Sequence, residues 1–144
     1  MKVLFMGTPD FAVPSLKALI ESRHEVVGVV TQPDRAIKHG KTEAGAVKLA
    51  ALNAGLKVIQ PARIRDSIDE LSAFDADIAV TAAYGQLLTQ VVLDSFPRGV
   101  INVHASLLPK YRGASPIASA IADGEKKTGV TIMQTELGLD TGAI

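Results

Sequence analysis

The residues of this chain whose types and spacing could do chemistry lie mainly in one segment, INVHASLLPKYRGASP, from Ile101 to Pro116. Asn102 and His104 stand two residues apart near the end of an apolar run, so in a strand their side chains leave the same face. An amide donates hydrogen bonds and an imidazole holds or gives a proton, which together suit stabilisation of an oxyanion in acyl transfer. The alternative is a histidine whose hydrogen bonds are satisfied by its own backbone neighbours.

Other polar residues extend the same hypothesis. Lys110 and Arg112 could meet an anion, and Gly113 permits a close approach of the backbone. Asp140, in the glycine-flanked sequence GLDTGAI, is a carboxylate that could hold a protonated histidine or accept a proton from an attacking amine. Its alternative role is that of an ordinary turn aspartate that caps the residues after it. The spacing alone leaves both interpretations open.

Several common kinds of site are not supported by the sequence. The first turn, GTPDF, has one glycine where a dinucleotide site shows G-x-G-x-x-G, and Asp34, the acidic residue after the second apolar run, follows a proline in a basic loop. Neither G-x-x-x-x-G-K-[ST] nor G-x-S-x-G occurs, which argues against a P-loop and an α/β-hydrolase. The chain has no cysteine, which excludes thiolate catalysis and cysteine-based metal sites.

The elements that position these residues follow an alternating pattern. Lys2 to Met6 and Glu25 to Thr31 are continuous apolar runs that predict buried strands. The amphipathic stretch from Asp10 to Arg23 predicts a helix between them, with Thr8 as a candidate cap and two prolines near its start. A strand, a helix and a strand at this spacing form a βαβ unit, which gives parallel strands with a right-handed crossover.

The alternation continues along the chain. The patterns predict helices at 44–54, 66–74, 89–96 and 115–122, and strands at 57–59, 77–82, 99–103 and 129–134. We expect Ile117 and Ile121 to face inward, and Gln32 to Thr42 to be a polar, basic loop. The predicted fold class is α/β: a doubly wound, mostly parallel sheet with helices on both faces, in which ligands bind beyond the carboxyl ends of the strands.

Composition limits the remaining possibilities. A chain of 144 residues with 47% hydrophobic and 21% charged residues is typical of one globular domain. Lys and Arg number 15, as do Asp and Glu, so the overall charge neither indicates nor excludes a nucleic-acid partner. No apolar run reaches the roughly 18 residues of a membrane span, and a Gly-Thr-Pro break comes too early for a signal peptide. We therefore expect a cytoplasmic protein without membrane contact.

Motifs along the whole chain show a resemblance to a known family. They are MGTPDFAVPSL near the start, TQPDR at 31–35, AAYGQLL at 82–88, NVHASLLPKYRGASPI at 102–117, and TGVTIMQ and GLDTG near the end. In this order they make the chain similar to the methionyl-tRNA formyltransferases, which have a Rossmann-like catalytic domain. The resemblance implies transfer of a formyl group from 10-formyltetrahydrofolate to the free amino group of methionyl initiator tRNA.

The resemblance also implies roles for individual residues. Asn102, His104 and Asp140 correspond to the family's catalytic triad, with no metal and no obligate protein partner. A folate pocket is implied near the Asp140 loop, and its residues are Tyr84, Gly85, Gln86, Leu87, Leu88, Ser106, Leu107, Leu108 and Pro109. Gly85 suits a backbone that approaches a flat ring, and leucines offer apolar cover. Plain core packing is the alternative for Leu87 and Leu88.

A basic loop after TQPDR is the family's contact with the acceptor stem of tRNA. Here it reads AIKHGKTEAG, which gives Arg35, Lys38, His39 and Lys41 as candidate tRNA contacts. His39 stands where the family commonly has an arginine, and a mostly neutral imidazole donates fewer hydrogen bonds and less charge than a guanidinium group. The alternative is a solvated loop, the default for exposed cations.

The chain stops within the glycine-rich segment 138–144. With the resemblance, this predicts one catalytic domain, 1–144, that is incomplete at its C-terminus and lacks the family's C-terminal tRNA-binding barrel. Two other functions stay open. A related formyltransferase could act on an amino sugar nucleotide or a purine-pathway amine, and a non-catalytic α/β domain could bind folate without turnover. The stretches MGTPDF and QPDR favour the tRNA enzyme over the first, and the presence of all three polar residues argues against the second.

Overall fold

The computed structural model describes residues 1–37 and 40–144. Its strands are β1 (Lys2–Gly7), β2 (Glu25–Val30), β3 (Arg35–Ala36), β4 (Thr42–Glu43), β5 (Val58–Ile59), β6 (Ile78–Ala82), β7 (Val100–His104) and β8 (Thr131–Gln134). Six of them form one sheet in the order β5-β2-β1-β6-β7-β8. The other two, β3 and β4, form a separate antiparallel hairpin, and all of it except Glu43 lies in the segment 32–42 that is predicted to be a polar, basic loop.

The sheet is parallel except at one edge. β1 lies in the middle and pairs in parallel with β2 and with β6, and β6 pairs in parallel with β7. β8 is antiparallel to β7, with His104 opposite Thr131. The prediction of a mostly parallel sheet is confirmed, and the uninterrupted apolar sequence of β1 is explained by its burial on both faces.

Helices cover both faces of the sheet, as predicted. They are α1 (Val13–Ile20), α2 (Ala46–Asn53), α3 (Ile68–Ser72), α4 (Gln90–Leu93) and α5 (Pro116–Ala122). Alternate residues of β1 point to opposite faces, so Phe5 joins the core under α1 and α2, whereas Leu4 joins the core under α3 and α4.

Some local predictions were wrong. The helix predicted over 10–23 starts with a 3₁₀ turn, Asp10–Ala12, and α1 ends at Ile20. Thr8 does not cap it, because the Thr8 hydroxyl instead donates a hydrogen bond to the carbonyl oxygen of Tyr84. In α5, Ile117 and Ile121 do not face inward: they are 46% and 74% exposed, and the small residue Ala120 occupies the buried position.

The carboxyl ends of the five parallel strands bring five loops to one edge of the sheet. The Thr8 hydroxyl, just after β1, accepts a hydrogen bond from the backbone N–H of Gln32, just after β2, and donates to Tyr84, just after β6. The loop after β7 begins at the same edge. In residues 1–37 and 40–144, no helix has both the length and the apolar character that crossing a bilayer requires.

Candidate active site

Asn102 lies on β7 directly beside Thr81 of β6. The buried Thr81 hydroxyl is 2.9 Å from Asn102 Oδ1 and donates a hydrogen bond to it. The same hydroxyl is 3.3 Å from the carbonyl oxygen of Ile101, a weaker contact. Because the amide oxygen faces Thr81, the two Nδ2 donors of Asn102 point away from it.

His104 is the last residue of β7, and only 5% of its side chain is exposed. Its Nε2 lies 2.8 Å from the carbonyl oxygen of Tyr111. Since a carbonyl oxygen can only accept a hydrogen bond, Nε2 carries a proton and donates it. The other ring nitrogen, Nδ1, lies 3.6 Å from Asp140 Oδ2. Nδ1 is therefore the ring nitrogen that this carbonyl does not bind, and it faces a carboxylate.

Asp140 comes from the loop that follows β8. Its Oδ2 accepts a hydrogen bond of 2.7 Å from the backbone N–H of Gly113, so the carboxylate also joins this loop to the loop after β7. The loop returns to the sheet where the Gln134 N–H donates to the carbonyl oxygen of Ala143 at 2.8 Å. Gly142 permits that return, because a Cβ atom there would lie 1.9 Å from the Gln134 carbonyl oxygen.

The structure thus places two of the predicted catalytic residues in contact and the third on the same strand. His104 and Asp140 face each other, and Asn102 shares a face of β7 with His104 because they are two residues apart. The sequence left a purely structural alternative open for His104 and another for Asp140, and the structure agrees with only part of them. A neighbouring backbone carbonyl does bind one nitrogen of His104, but the Asp140 carboxylate contacts a distant loop instead of capping its own turn. The catalytic roles of the three residues stay predictions.

The predicted folate segment 84–88 has a mixed orientation. The Tyr84 side chain is 4% exposed and packs in the core, and its hydroxyl has no hydrogen-bond partner in the part of the chain that the structure describes. Burial raises the pKa of Tyr84 to about 12. Leu87 is 86% exposed, so core packing does not account for it, whereas Leu88 is half-buried against the core. Gly85 has a φ of +92°, which glycine adopts without strain.

The Gln86 side chain points into the protein and ties this loop to its neighbours. Its Oε1 accepts a hydrogen bond of 2.7 Å from the Ile64 N–H, and its Nε2 donates to Gln32 Oε1 at 3.2 Å and to the Pro61 carbonyl oxygen at 3.1 Å. Gln86 therefore fixes the shape of the loop with its side chain, and a ligand here would meet the exposed Leu87 and backbone groups.

The second predicted folate segment, 106–109, is anchored by Thr131 on β8. Ser106 is fully buried; its hydroxyl donates to the carbonyl oxygen of Lys110 at 2.6 Å, and its own carbonyl oxygen accepts from the Thr131 hydroxyl at 2.7 Å. The Leu108 N–H donates to the same hydroxyl at 3.1 Å. Leu107 is 53% exposed, Leu108 is half-buried and Pro109 is exposed. The leucines and the proline form the accessible part of this segment.

Two of the four predicted tRNA contacts can be located. Arg35 and Lys41 are exposed on the β3–β4 hairpin, whereas Lys38 and His39 lie outside the described residues. Asp34, at the base of the hairpin, pairs with Lys48, whose ammonium lies 2.9 and 2.7 Å from the two carboxylate oxygens. Hydrogen bonds from Lys48 and Gln60 lower the pKa of Asp34.

Sequence reasoning missed two residues that contact the predicted triad. Thr81 contacts Asn102 and Tyr111 contacts His104. Thr81 gave no signal, because a threonine in an apolar strand is ordinary, and its role depends on the pairing of β6 with β7. Tyr111 lies inside the SLLPKYRG segment, but its contact with His104 is made by its backbone carbonyl. A backbone contact cannot be predicted from the type of residue.

Across residues 1–37 and 40–144 there is no cluster of three or more His, Asp or Glu side chains that could hold a metal ion. Two open surface pockets are formed by the described residues. One, of about 410 Å³, lies at the amino end of the sheet, and the other, of about 600 Å³, lies beside β8. Neither is lined by the predicted folate segments 84–88 and 106–109.

Comparison with known proteins agrees with this fold. Residues 1–144 match the family described as formyl transferase. The chain belongs to the formyl transferase family, so the family resemblance read from the motifs is confirmed. It is 52% identical over 145 residues to a methionyl-tRNA formyltransferase of Agathobacter rectalis, an alignment that covers 99% of this chain and 47% of that protein. The chain spans about half the length of the curated relatives it matches.

Solved structures share the fold at lower identity. A phosphoribosylglycinamide formyltransferase from Bacillus halodurans has a TM-score of 0.78 and 22% identity, with 99% of this chain and 76% of that chain covered. A sugar 3N-formyl transferase, solved in the presence of dTDP and 5-N-formyl-THF, has a TM-score of 0.66 and 24% identity, with 99% and 48% covered. At these identities the likeness concerns the fold alone.

Proposed function

We propose that the protein transfers the formyl group of 10-formyltetrahydrofolate to the free amino group of methionyl initiator tRNA. The observation that carries the proposal is the position of His104, whose Nδ1 lies 3.6 Å from the Asp140 carboxylate while Nε2 is held by a backbone carbonyl. A ring held in this way can carry a proton beside a reacting group, on the same strand as the amide donor Asn102.

The reaction needs no covalent enzyme intermediate. The amine nitrogen attacks the formyl carbon, and a tetrahedral oxyanion forms. The Nδ2 donors of Asn102 and the positive charge of protonated His104 stabilise this oxygen. Asp140 holds the proton of His104 and takes up the proton that the amine loses. The carbonyl then re-forms as the bond from the formyl carbon to N10 of the folate breaks. N10 takes the proton that Asp140 received from the amine, and Asp140 is left ionised again.

The exposed parts of the two predicted folate segments support the choice of donor. Leu87 and Leu107 are large apolar side chains that are 86% and 53% exposed. Exposed leucines beside backbone donors and acceptors suit a flat heterocycle that is apolar on its faces and polar at its edge. The side chains of Gln86 and Ser106 bind other parts of the protein, so in this proposal they shape the pocket and the backbone contacts the ligand.

The choice of acceptor is supported by the sequence identity to relatives named methionyl-tRNA formyltransferase, which is 52% and 51% for two of them. Arg35 and Lys41 on the β3–β4 hairpin are exposed cations that suit a phosphate backbone. The proposal includes a cytoplasmic location, where initiator tRNA is charged. The chain spans about half of those relatives, so the activity of the 144-residue chain by itself is part of what must be tested.

The test is the transfer of labelled formyl from 10-formyltetrahydrofolate by this chain, with methionyl initiator tRNA and an amino sugar nucleotide offered together. We expect label on the methionyl group. The variants Asn102→Ala and His104→Ala should each lose about 100-fold to 1000-fold in kcat, because removal of one oxyanion donor typically has that effect. Asp140→Ala should also abolish the labelling.

Matched controls come from residues of the same type outside the site. Asn53→Ala at the end of α2 and Asp69→Ala on α3 remove exposed side chains and should leave kcat unchanged. Label on the sugar would replace the proposed acceptor. Near-wild-type rates in Asn102→Ala or His104→Ala would overturn the mechanism, and no transfer by a folded chain would contradict the proposed activity for these residues.

A further inference from the structure

Tyr111 has an unusual backbone conformation for its residue type. It lies in the loop after β7, and its φ is +57°, in the left-handed region that residues with a Cβ atom rarely adopt. Its carbonyl oxygen is the acceptor for His104 Nε2 at 2.8 Å. A strained residue whose backbone touches a candidate catalytic side chain requires other contacts to hold it in place.

The Tyr111 side chain supplies those contacts. Its hydroxyl lies 3.0 Å from Asp123 Oδ2 and 3.1 Å from Glu125 Oε1, and it donates to this pair of carboxylates. Burial, together with these hydrogen bonds, raises the pKa of Tyr111 to about 12, so the hydroxyl stays a donor well above neutral pH. Lys110 pairs with the same Glu125 oxygen at 2.6 Å and adds a second tie between the loop and these carboxylates.

The two carboxylates are held by the turn that ends α5. The backbone N–H of Gly124 donates to the carbonyl oxygen of Ile121 at 3.0 Å, and that of Glu125 donates to Ala120 at 3.0 Å. Gly124 has a φ of +69°, as is common in the turn that closes a helix. The end of α5 therefore presents a fixed anchor to the loop after β7.

We propose that Tyr111 is a positioning residue for His104. Its hydroxyl, held by Asp123 and Glu125, keeps its carbonyl oxygen where it binds Nε2, and this leaves Nδ1 to face Asp140. The inference deepens the proposed function and rests on it for its meaning, because the function requires a proton on Nδ1. The geometry that it explains can be tested without turnover.

The first test measures the protonation of the imidazole by NMR, from the nitrogen chemical shifts of a labelled chain. The chain has three histidines, so His104→Asn identifies the signal. In the wild type we expect the His104 signals to show a persistent proton on Nε2. Tyr111→Phe keeps the ring and removes only the hydroxyl, and we expect its His104 signals to shift toward an average of the two tautomers.

A second variant reaches the same contact from the other side. Asp123→Ala with Glu125→Ala removes both acceptors and leaves Tyr111 intact, and it should change the His104 signals in the same direction. The matched control is Asp69→Ala with Glu70→Ala, two neighbouring exposed carboxylates on α3, which should leave them unchanged. Wild-type His104 signals in both Tyr111→Phe and the Asp123/Glu125 variant would overturn the inference.

Kinetics separate this inference from the proposed function. In formyl transfer, Tyr111→Phe should lower kcat about tenfold, as expected for a loss of about 1.4 kcal/mol of transition-state stabilisation, with little change in KM for folate or tRNA. If the wild-type chain transfers no formyl group, the proposed function fails while the NMR signals still decide the role of Tyr111. If the wild type is active and Tyr111→Phe changes neither kcat nor the signals, the positioning role is wrong.

Discussion

The hydroxyl of Thr81 illustrates how much of this site depends on the orientation of one amide. It holds Oδ1 of Asn102 at 2.9 Å. An asparagine side chain can present either its oxygen or its nitrogen to a ligand, and only the nitrogen can stabilise an oxyanion. In this structure the Thr81 hydroxyl donates to Oδ1, which leaves Nδ2 for the oxyanion. Thr81 therefore acts on the proposed reaction only by orienting Asn102.

Replacement of Thr81 should lower the rate without removing a group that contacts substrate. Thr81→Val keeps the shape and loses the hydroxyl, and we expect kcat to fall about five- to tenfold, since an orienting hydrogen bond is worth about 1 kcal/mol. Thr81→Ser restores the hydroxyl and should restore most of the rate. Steady-state formyl transfer measures both variants. A rate in Thr81→Val equal to that of the wild type would show that Asn102 is oriented by other contacts.

At the scale of elements, the β3–β4 hairpin is a short structure that follows the carboxyl end of β2 and presents two exposed cations. In the antiparallel backbone pairing of the hairpin, Arg35 lies opposite Glu43. The Ile37 N–H donates a hydrogen bond to the carbonyl oxygen of Lys41 at 2.9 Å. Its base is fixed by the ion pair between Asp34 and Lys48, whose side chains are 25% and 20% exposed. These contacts fix the backbone near Arg35 and Lys41, whose side chains are exposed to solvent.

This arrangement predicts a defect in tRNA binding when the two cations are removed. In Arg35→Ala with Lys41→Ala, we expect KM for methionyl-tRNA to rise while kcat stays close to the wild-type value. The dependence of log KM on log salt should flatten by about 0.7 to 0.9 for each lost phosphate contact. The control is Lys17→Ala with Lys57→Ala, which removes one cation of α1 and one just before β5. An unchanged salt dependence would mean that the hairpin does not contact the phosphates.

At the scale of the whole molecule, the two tyrosines report on folding at high pH. The chain has two tyrosines and no tryptophan, so absorbance of tyrosinate follows them directly. Desolvation raises the pKa of Tyr84, and also that of Tyr111, from 10.0 to about 12. A pKa raised in the folded state means that the associated stability is full below pH 10 and is lost as the pH rises toward 12.

We therefore expect little tyrosinate near pH 10 in the folded chain and a late, steep rise as unfolding exposes both rings. The melting temperature should fall over the same interval between pH 10 and 12. Tyr111→Phe leaves one tyrosine and assigns the remaining signal to Tyr84. Reversible titration of both tyrosines near pH 10, with the fold intact, would contradict their described surroundings.

Much of the architecture was predictable because it depends on local pattern. The apolar runs of β1, β2 and β6 and the alternation of strands with helices predicted a doubly wound sheet, since strands buried on both faces have few polar residues. The helix boundaries were less predictable: α1 ends at Ile20 and not at Arg23, because the end of a surface helix depends on packing and capping contacts. The prediction of which face of α5 is buried was wrong for a similar reason. Ile121 is exposed although it is the more apolar residue, and Ala120 is the buried one.

The sequence by itself determined the class of fold, the family, and the candidate residues Asn102, His104 and Asp140, because residue type, spacing and long motifs are properties of the chain. Only the tertiary structure decided which atoms meet. His104 Nδ1 faces Asp140, which lies on a different loop. Thr81 donates a hydrogen bond to Asn102, which lies on a different strand. The contact between His104 and Tyr111 is made by a backbone carbonyl, which every residue has. Such contacts depend on strand register and loop closure, and these are fixed by the folded chain as a whole.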